Sequence, residues 1–92
     1  MPVQTDASAS LIAYPSEFPI KVMGVHVDGF AEAIIAVARR FDPTFDAARI
    51  EFRPSSGGNY LGITLMVTAT SREQLDALYQ ELTSHPMVKV VL

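Results

Sequence analysis

From Tyr60 to Thr70 the chain alternates without a break. Leu61, Ile63, Leu65, Val67 and Ala69 fall on one side; Tyr60, Gly62, Thr64, Met66, Thr68 and Thr70 fall on the other. A period of two is the geometry of a strand with one buried face. Ahead of it runs Pro54-Ser55-Ser56-Gly57-Gly58-Asn59, a string of turn formers. That turn joins the strand to a shorter one, Arg49–Arg53, with Ile50 and Phe52 expected inward. Behind it, Ser71-Arg72-Glu73-Gln74 reads as a capping box, in which the Ser71 hydroxyl accepts from the Gln74 amide while the Gln74 side chain reaches back. The helix that follows places Leu75, Leu78, Tyr79 and Leu82 on one face. Ser84-His85-Pro86 ends it, and Met87–Leu92 forms a closing strand.

The upstream half completes the pattern. In Phe18–Val25, Ile20, Val22 and Gly24 share one side and Lys21, Met23 and Val25 the other, again a strand. Pro19 lacks an N–H donor and is expected at the start of that strand. Asp28 is expected to cap a helix in which Phe30, Ala33, Ile34, Val37, Ala38 and Phe41 line one face. Asp42-Pro43 stops it, because a residue before proline is pushed out of helical geometry. The order is βαββαβ. Right-handed crossovers with both helices on one side then predict a ferredoxin-like α+β sandwich, an antiparallel four-stranded sheet of order 4-1-3-2.

Composition narrows the function. The 92 residues allow one domain, and a chain this short buries only roughly 60–65% of its unfolded surface, so a partner surface would help it. Seven basic against ten acidic residues give a net charge of −3, no footprint for nucleic acid or anionic lipid. There is no cysteine, which excludes disulfides, thiol nucleophiles and thiolate metal sites. The first residues carry neither the basic nor the apolar region of a signal peptide. No apolar run approaches the about 20 residues of a membrane span. A cytoplasmic protein is expected, with residues 1–13 a disordered leader and 14–92 the domain. Leu11, Ile12 and Tyr14 are expected to dock on that domain.

Helices on one side leave the other side of the sheet open. Its outward positions are read as Lys21, Met23 and Val25, then Glu51 and Arg53, then Tyr60, Gly62, Thr64, Met66 and Thr68, with Lys89 and Val91 from the last strand. One reading is a semi-polar surface facing water. The other is a dimer or partner patch, with Met23, Arg53, Tyr60, Thr64 and Met66 as interface candidates.

Other chemistry is sparse. His26, in Gly24–Gly29, lies where the first helix begins, and backbone donors there favour an anion or carboxylate. The plainer alternative is an exposed loop histidine. His85 suits a helix C-terminus. Two distant histidines without cysteine give no metal site and no cofactor. The Ser55–Asn59 glycines feed a strand, whereas a phosphate loop feeds a helix with a lysine and a hydroxyl after it. An RNA-recognition motif needs basic and stacking residues on the third strand, and Asn59–Met66 supplies one aromatic. No catalytic residues are assigned.

Several separated blocks carry a resemblance: Tyr14-Pro15-Ser16-Glu17-Phe18-Pro19 leading into Lys21–Gly24, then Arg53–Tyr60, Thr68–Leu75 and Leu82–Leu92. Over residues 14–92 the chain resembles the YbeD-like family, small bacterial proteins of unknown function with an ACT-like fold. Members are sometimes given the label of lipoic-acid-binding regulatory proteins. The resemblance implies a non-enzymatic regulatory or ligand-sensing domain, linked to lipoate or amino-acid metabolism. ACT domains hold small effectors near the loop between first strand and first helix, commonly at a dimer interface. By position, His26, Asp28 and Gly29 become ligand candidates, for a small carboxylate. A homodimer acting on an unidentified protein partner is expected. The alternative is an interaction module, without a ligand, that uses the open sheet face or a strand edge.

Overall fold

The computed structural model describes residues 13–92, so the expectations for a disordered leader and for docking of Leu11 and Ile12 lie outside the described residues. Strand β1 (Ser16–Val25) leads to helix α1 (Phe30–Phe41), and a single 3-10 turn (Ala47–Arg49) precedes β2 (Glu51–Pro54). Then come β3 (Tyr60–Ala69), helix α2 (Arg72–Thr83) and β4 (Val88–Val91). The sheet order is β2-β3-β1-β4, antiparallel throughout, so the ferredoxin-like order expected from the sequence is the observed one. No helix among the described residues is long and apolar enough to cross a membrane.

Both helices cover one face. The core joins Ile20 and Val22 of β1, the five alternating apolar residues of β3, Phe30, Ile34, Val37 and Ala38 of α1, and Leu75, Leu78 and Leu82 of α2. Phe45 closes it from the loop after α1. Gly24 explains how closely α1 approaches: a Cβ there would lie 2.5 Å from the Phe30 ring and 2.2 Å from the Met87 carbonyl oxygen.

Six local expectations need correction. Gly29, not Asp28, occupies the N-cap of α1, with φ of 90° and no side-chain cap. The tight turn closed by Phe30 N–H donating to Val27 O requires left-handed backbone there, which glycine adopts without a Cβ clash. The second strand begins at Glu51, because Asp46 caps a 3-10 turn through its bond from Ala48 N–H. Its Phe52 sits opposite Ile63 on the helix-side face but stays 51% exposed, since the helices do not reach this edge strand. Pro19 lies inside β1, opposite Met66. The nearby Lys21 and Val25 direct their N–H groups toward the β4 side, and pairing there runs only from Lys21 to Val25, so the missing donor at Pro19 costs no ladder bond. Finally, β4 bulges: Met23 faces Val90 and Gly24 faces Val88, with Lys89 as the extra residue. The bulge turns Val90 outward and packs Val91 against the core, where simple alternation places Val91 outside.

The sixth correction concerns Gln74. Ser71 Oγ does accept from Gln74 N–H at 3.0 Å, but the Gln74 side chain bypasses Ser71. Its Oε1 accepts from Thr70 N–H at 2.7 Å, and its Nε2 donates to Thr68 O at 3.0 Å and to Phe41 O at 2.7 Å. The reason is an edge without a strand. β2 pairs with β3 only over Leu61–Thr64, which leaves the Thr68–Thr70 stretch bare. Asp42 completes the cover by accepting from Thr68 N–H at 2.8 Å, while its other oxygen accepts from Thr44 N–H and Oγ1 at 3.0 and 2.6 Å. Asp42 is only 4% exposed. Burial alone would raise its carboxyl, but the Thr44 hydroxyl and the Thr68 and Thr44 amides outweigh that and hold it below the ordinary value. Two side chains thus do the work of a strand.

Candidate functional site

Two surfaces gather the residues singled out from the sequence. The first is the loop between β1 and α1. His26 N–H donates to Asn59 O at 3.0 Å, and its Nδ1 lies 3.2 Å from Gly58 O, so the loop rests on the tip of the β2–β3 hairpin. That hairpin is closed by Ser55 N–H to Tyr60 O at 2.9 Å and by Tyr60 N–H to Ser55 Oγ at 3.1 Å. His26, Asp28 and Gly29 border one open depression, and so does Glu32. All but Gly29 carry polar side chains exposed to solvent. Two carboxylates beside the helix start oppose an anionic guest by direct repulsion. His85 lies elsewhere: its Nδ1 accepts from Met87 N–H at 3.2 Å and so shapes the turn into β4.

The second surface is the open sheet face, where register sets the geometry. Glu51, Thr64 and Lys21 stand in one row across β2, β3 and β1. Arg53, Gly62, Met23 and Val90 stand in the next, and Tyr60 and Val25 in a third. Rows on one face lie about 7 Å apart, and neighbours within a row about 5 Å apart. Gly62 has no side chain, so the second row has a gap at its centre. A groove of 590 Å³ opens over it, walled by Met23, Tyr60, Val90 and Arg53. Thr64 also lines the groove, so four of the five interface candidates meet there. Met66 does not line it; it lies further along β3, opposite Pro19 on the same face. The sequence missed Val90, because the bulge at Lys89 leaves no trace in the alternation of so short a strand.

Gly62 needs no special backbone. A Cβ there would meet nothing closer than Arg53 O at 3.4 Å. The fold therefore leaves room for a Cβ at this position, and its absence deepens the groove. Charge on this face is uncompensated. Arg40 pairs with Glu81, Arg49 with Glu17 and Arg72 with Asp76, but among the described residues Lys21, Arg53 and Glu51 have no oppositely charged partner within 4.0 Å. Glu17, at the far end of the face, is held below the ordinary carboxylate value by its bonds to the Arg49 guanidinium and by that charge. No group of three or more His, Asp or Glu side chains converges among the described residues, and no buried side-chain polar atom there lacks a hydrogen-bond partner.

With this geometry in hand, comparison places the chain. Residues 9–92 match the family described as "Protein of unknown function (DUF493)". The chain belongs to that family. A UPF0250 protein of Leptothrix cholodnii is 69% identical over 83 residues, 90% of this chain and 91% of that one. Another, from Ralstonia nicotianae, is 66% identical over 88 residues, 96% of this chain and 91% of that one. A third, from Bordetella pertussis, is 61% identical over 83 residues, 90% and 91% of the two chains. These names agree with the YbeD-like resemblance carried by the sequence blocks. The solution structure of protein HP0495 from H. pylori superposes with a TM-score of 0.73, covering 88% of this chain and 85% of that one. At 15% identity that likeness speaks for the fold alone.

Proposed function

We propose that this DUF493 protein is a small cytoplasmic, non-enzymatic interaction domain whose working surface is the open sheet face. One observation carries the reading: a groove with an apolar wall and uncompensated charges lies over a glycine that the fold does not require. Apolar clefts with a few placed polar groups are where proteins are recognised. Met66→Glu puts a charge on the face without touching the core. Gly62→Val fills the groove itself. Capture of partners from the native host with wild type and both variants tests the proposal; equal capture by all three removes the face as the surface.

The second reading is effector sensing at the β1–α1 loop, in lipoate or amino-acid metabolism, with His26, Asp28 and Gly29 as contacts. Its support is their gathering at one depression against the hairpin. The flanking Asp28 and Glu32 favour a zwitterionic effector with an ammonium group over a bare carboxylate. A thermal-shift screen against amino acids, octanoate and lipoate tests it, since ligand at a hundredfold over its dissociation constant adds about 2.7 kcal/mol. No shift with any of them sinks this reading.

A further inference from the structure

We propose that the open sheet face is the interface of a symmetric dimer, in which a second copy packs face to face in one defined register. The inference rests on the sheet face being the working surface, and it names the occupant. Consider a two-fold axis parallel to the sheet and running across the strands, midway between the Glu51–Thr64–Lys21 row and the Arg53–Gly62–Met23 row. Such an axis keeps each strand over its own counterpart and exchanges the two rows. Glu51 of each copy then stands opposite Arg53 of the other, giving two ion pairs related by the axis. Thr64 of each copy stands over Gly62 of the other and fills the hollow. Carried one row further, the operation sets Tyr60 opposite Met66, a favourable sulfur–aromatic pairing. Lys21 lays its stem along Met23, and Val90 meets Leu92, whose backbone pairs with Lys21.

The match comes from residues of one chain. Glu51 and Arg53 carry opposite charges two positions apart on β2, both exposed and unpaired among the described residues. The hollow at Gly62 and the side chain that fits it, Thr64, are likewise two positions apart on β3. An isologous interface needs this kind of self-complementarity, each patch carrying both halves of every contact. Aligned face-to-face packing is also the ordinary way in which two sheets meet, about 10 Å apart. Met23, Tyr60, Val90 and Leu92 are 44–73% exposed, apolar surface that such a dimer would cover.

Sedimentation of the full chain from about 1 μM to 1 mM reads the dimer constant directly. Wild type should dimerise within that range. Glu51→Arg should weaken the dimer about tenfold or more, since it sets arginine against arginine. The double reversal, Glu51→Arg with Arg53→Glu, should restore it, because a two-fold exchange pairs the swapped charges again. Gly62→Val should weaken it by a similar factor while far-UV circular dichroism and melting stay at or above wild type. A wild type that stays monomeric at 1 mM, a double reversal that does no better than Glu51→Arg, or a dimer indifferent to Gly62→Val overturns the proposal. A monomer that still loses its host partners on Met66→Glu would overturn the dimer and leave the interaction surface standing. A rescued dimer with unchanged partner capture would do the reverse.

Discussion

The two faces of β3 carry one backbone and opposite assignments. Toward the helices, Leu61, Ile63, Leu65, Val67 and Ala69 are all buried in the one core that β3 shares with β1 and both helices. Toward the open side, Tyr60, Gly62, Thr64, Met66 and Thr68 are exposed or half-buried, and Gly62 has room for a side chain it lacks. The first face is fully used by folding. Residue choice on the second is not explained by folding, and the proposed interaction surface lies there.

The largest break in that contrast should come from Leu65→Ala. The residue is completely buried, and truncation there should cost about 2–5 kcal/mol in denaturant unfolding. Met66→Glu, one position along, should change stability by less than about 1 kcal/mol. Comparable losses at the two sites would mean that the open face is part of the folding core.

Next comes the edge between the faces. Asp42→Ala orphans Thr68 N–H and should cost about 2–3 kcal/mol. It should also remove a pH dependence. The folded carboxyl titrates below its ordinary 3.8, so the unfolded chain takes up the proton first as pH falls. The stabilisation is therefore complete above the unfolded value and is lost as pH drops through the folded one. Acid unfolding of the variant should be flatter through that window; an unchanged curve would mean that Asp42 does not hold the edge.

Gly24→Ala and Gly62→Val then separate two glycines on opposite faces. The first forces a methyl against Phe30 and the Met87 carbonyl and should cost about 1–3 kcal/mol by melting. The second has space and replaces glycine by a strand former, so it should leave stability unchanged or raise it by up to about 1 kcal/mol. A destabilised Gly62→Val would return that glycine to the fold and take it from the groove.

Much of this was legible from residue order. The alternation of Tyr60–Thr70, the helical spacing of Phe30, Ile34, Val37 and Ala38, and the Ser71 cap are local patterns, and local geometry obeys them. The cap at Gly29 and the late start of β2 come from local turns, but other errors fall where a distant element intervenes. Gln74 turns from Ser71 to serve an edge that β2 leaves bare. Phe52 reads as buried because nothing in its neighbourhood tells how far the helices extend. His26 meets Gly58, 32 residues away, a contact that periodicity does not encode. Of the candidate interface, Met23, Arg53, Tyr60 and Thr64 were placed by alternation alone; their convergence on one groove required the strand register.

The sequence by itself determined the element order, the buried faces of β1, β3 and both helices and, through its separated blocks, the family, because these depend on spacing along the chain. Only the tertiary structure decided that Val90 faces outward at a bulge, that Asp42 and Gln74 replace a missing strand, and that Gly62 is a hollow. Each of those depends on which backbone lies beside which, and pairing across the sheet is set by the packing of the whole.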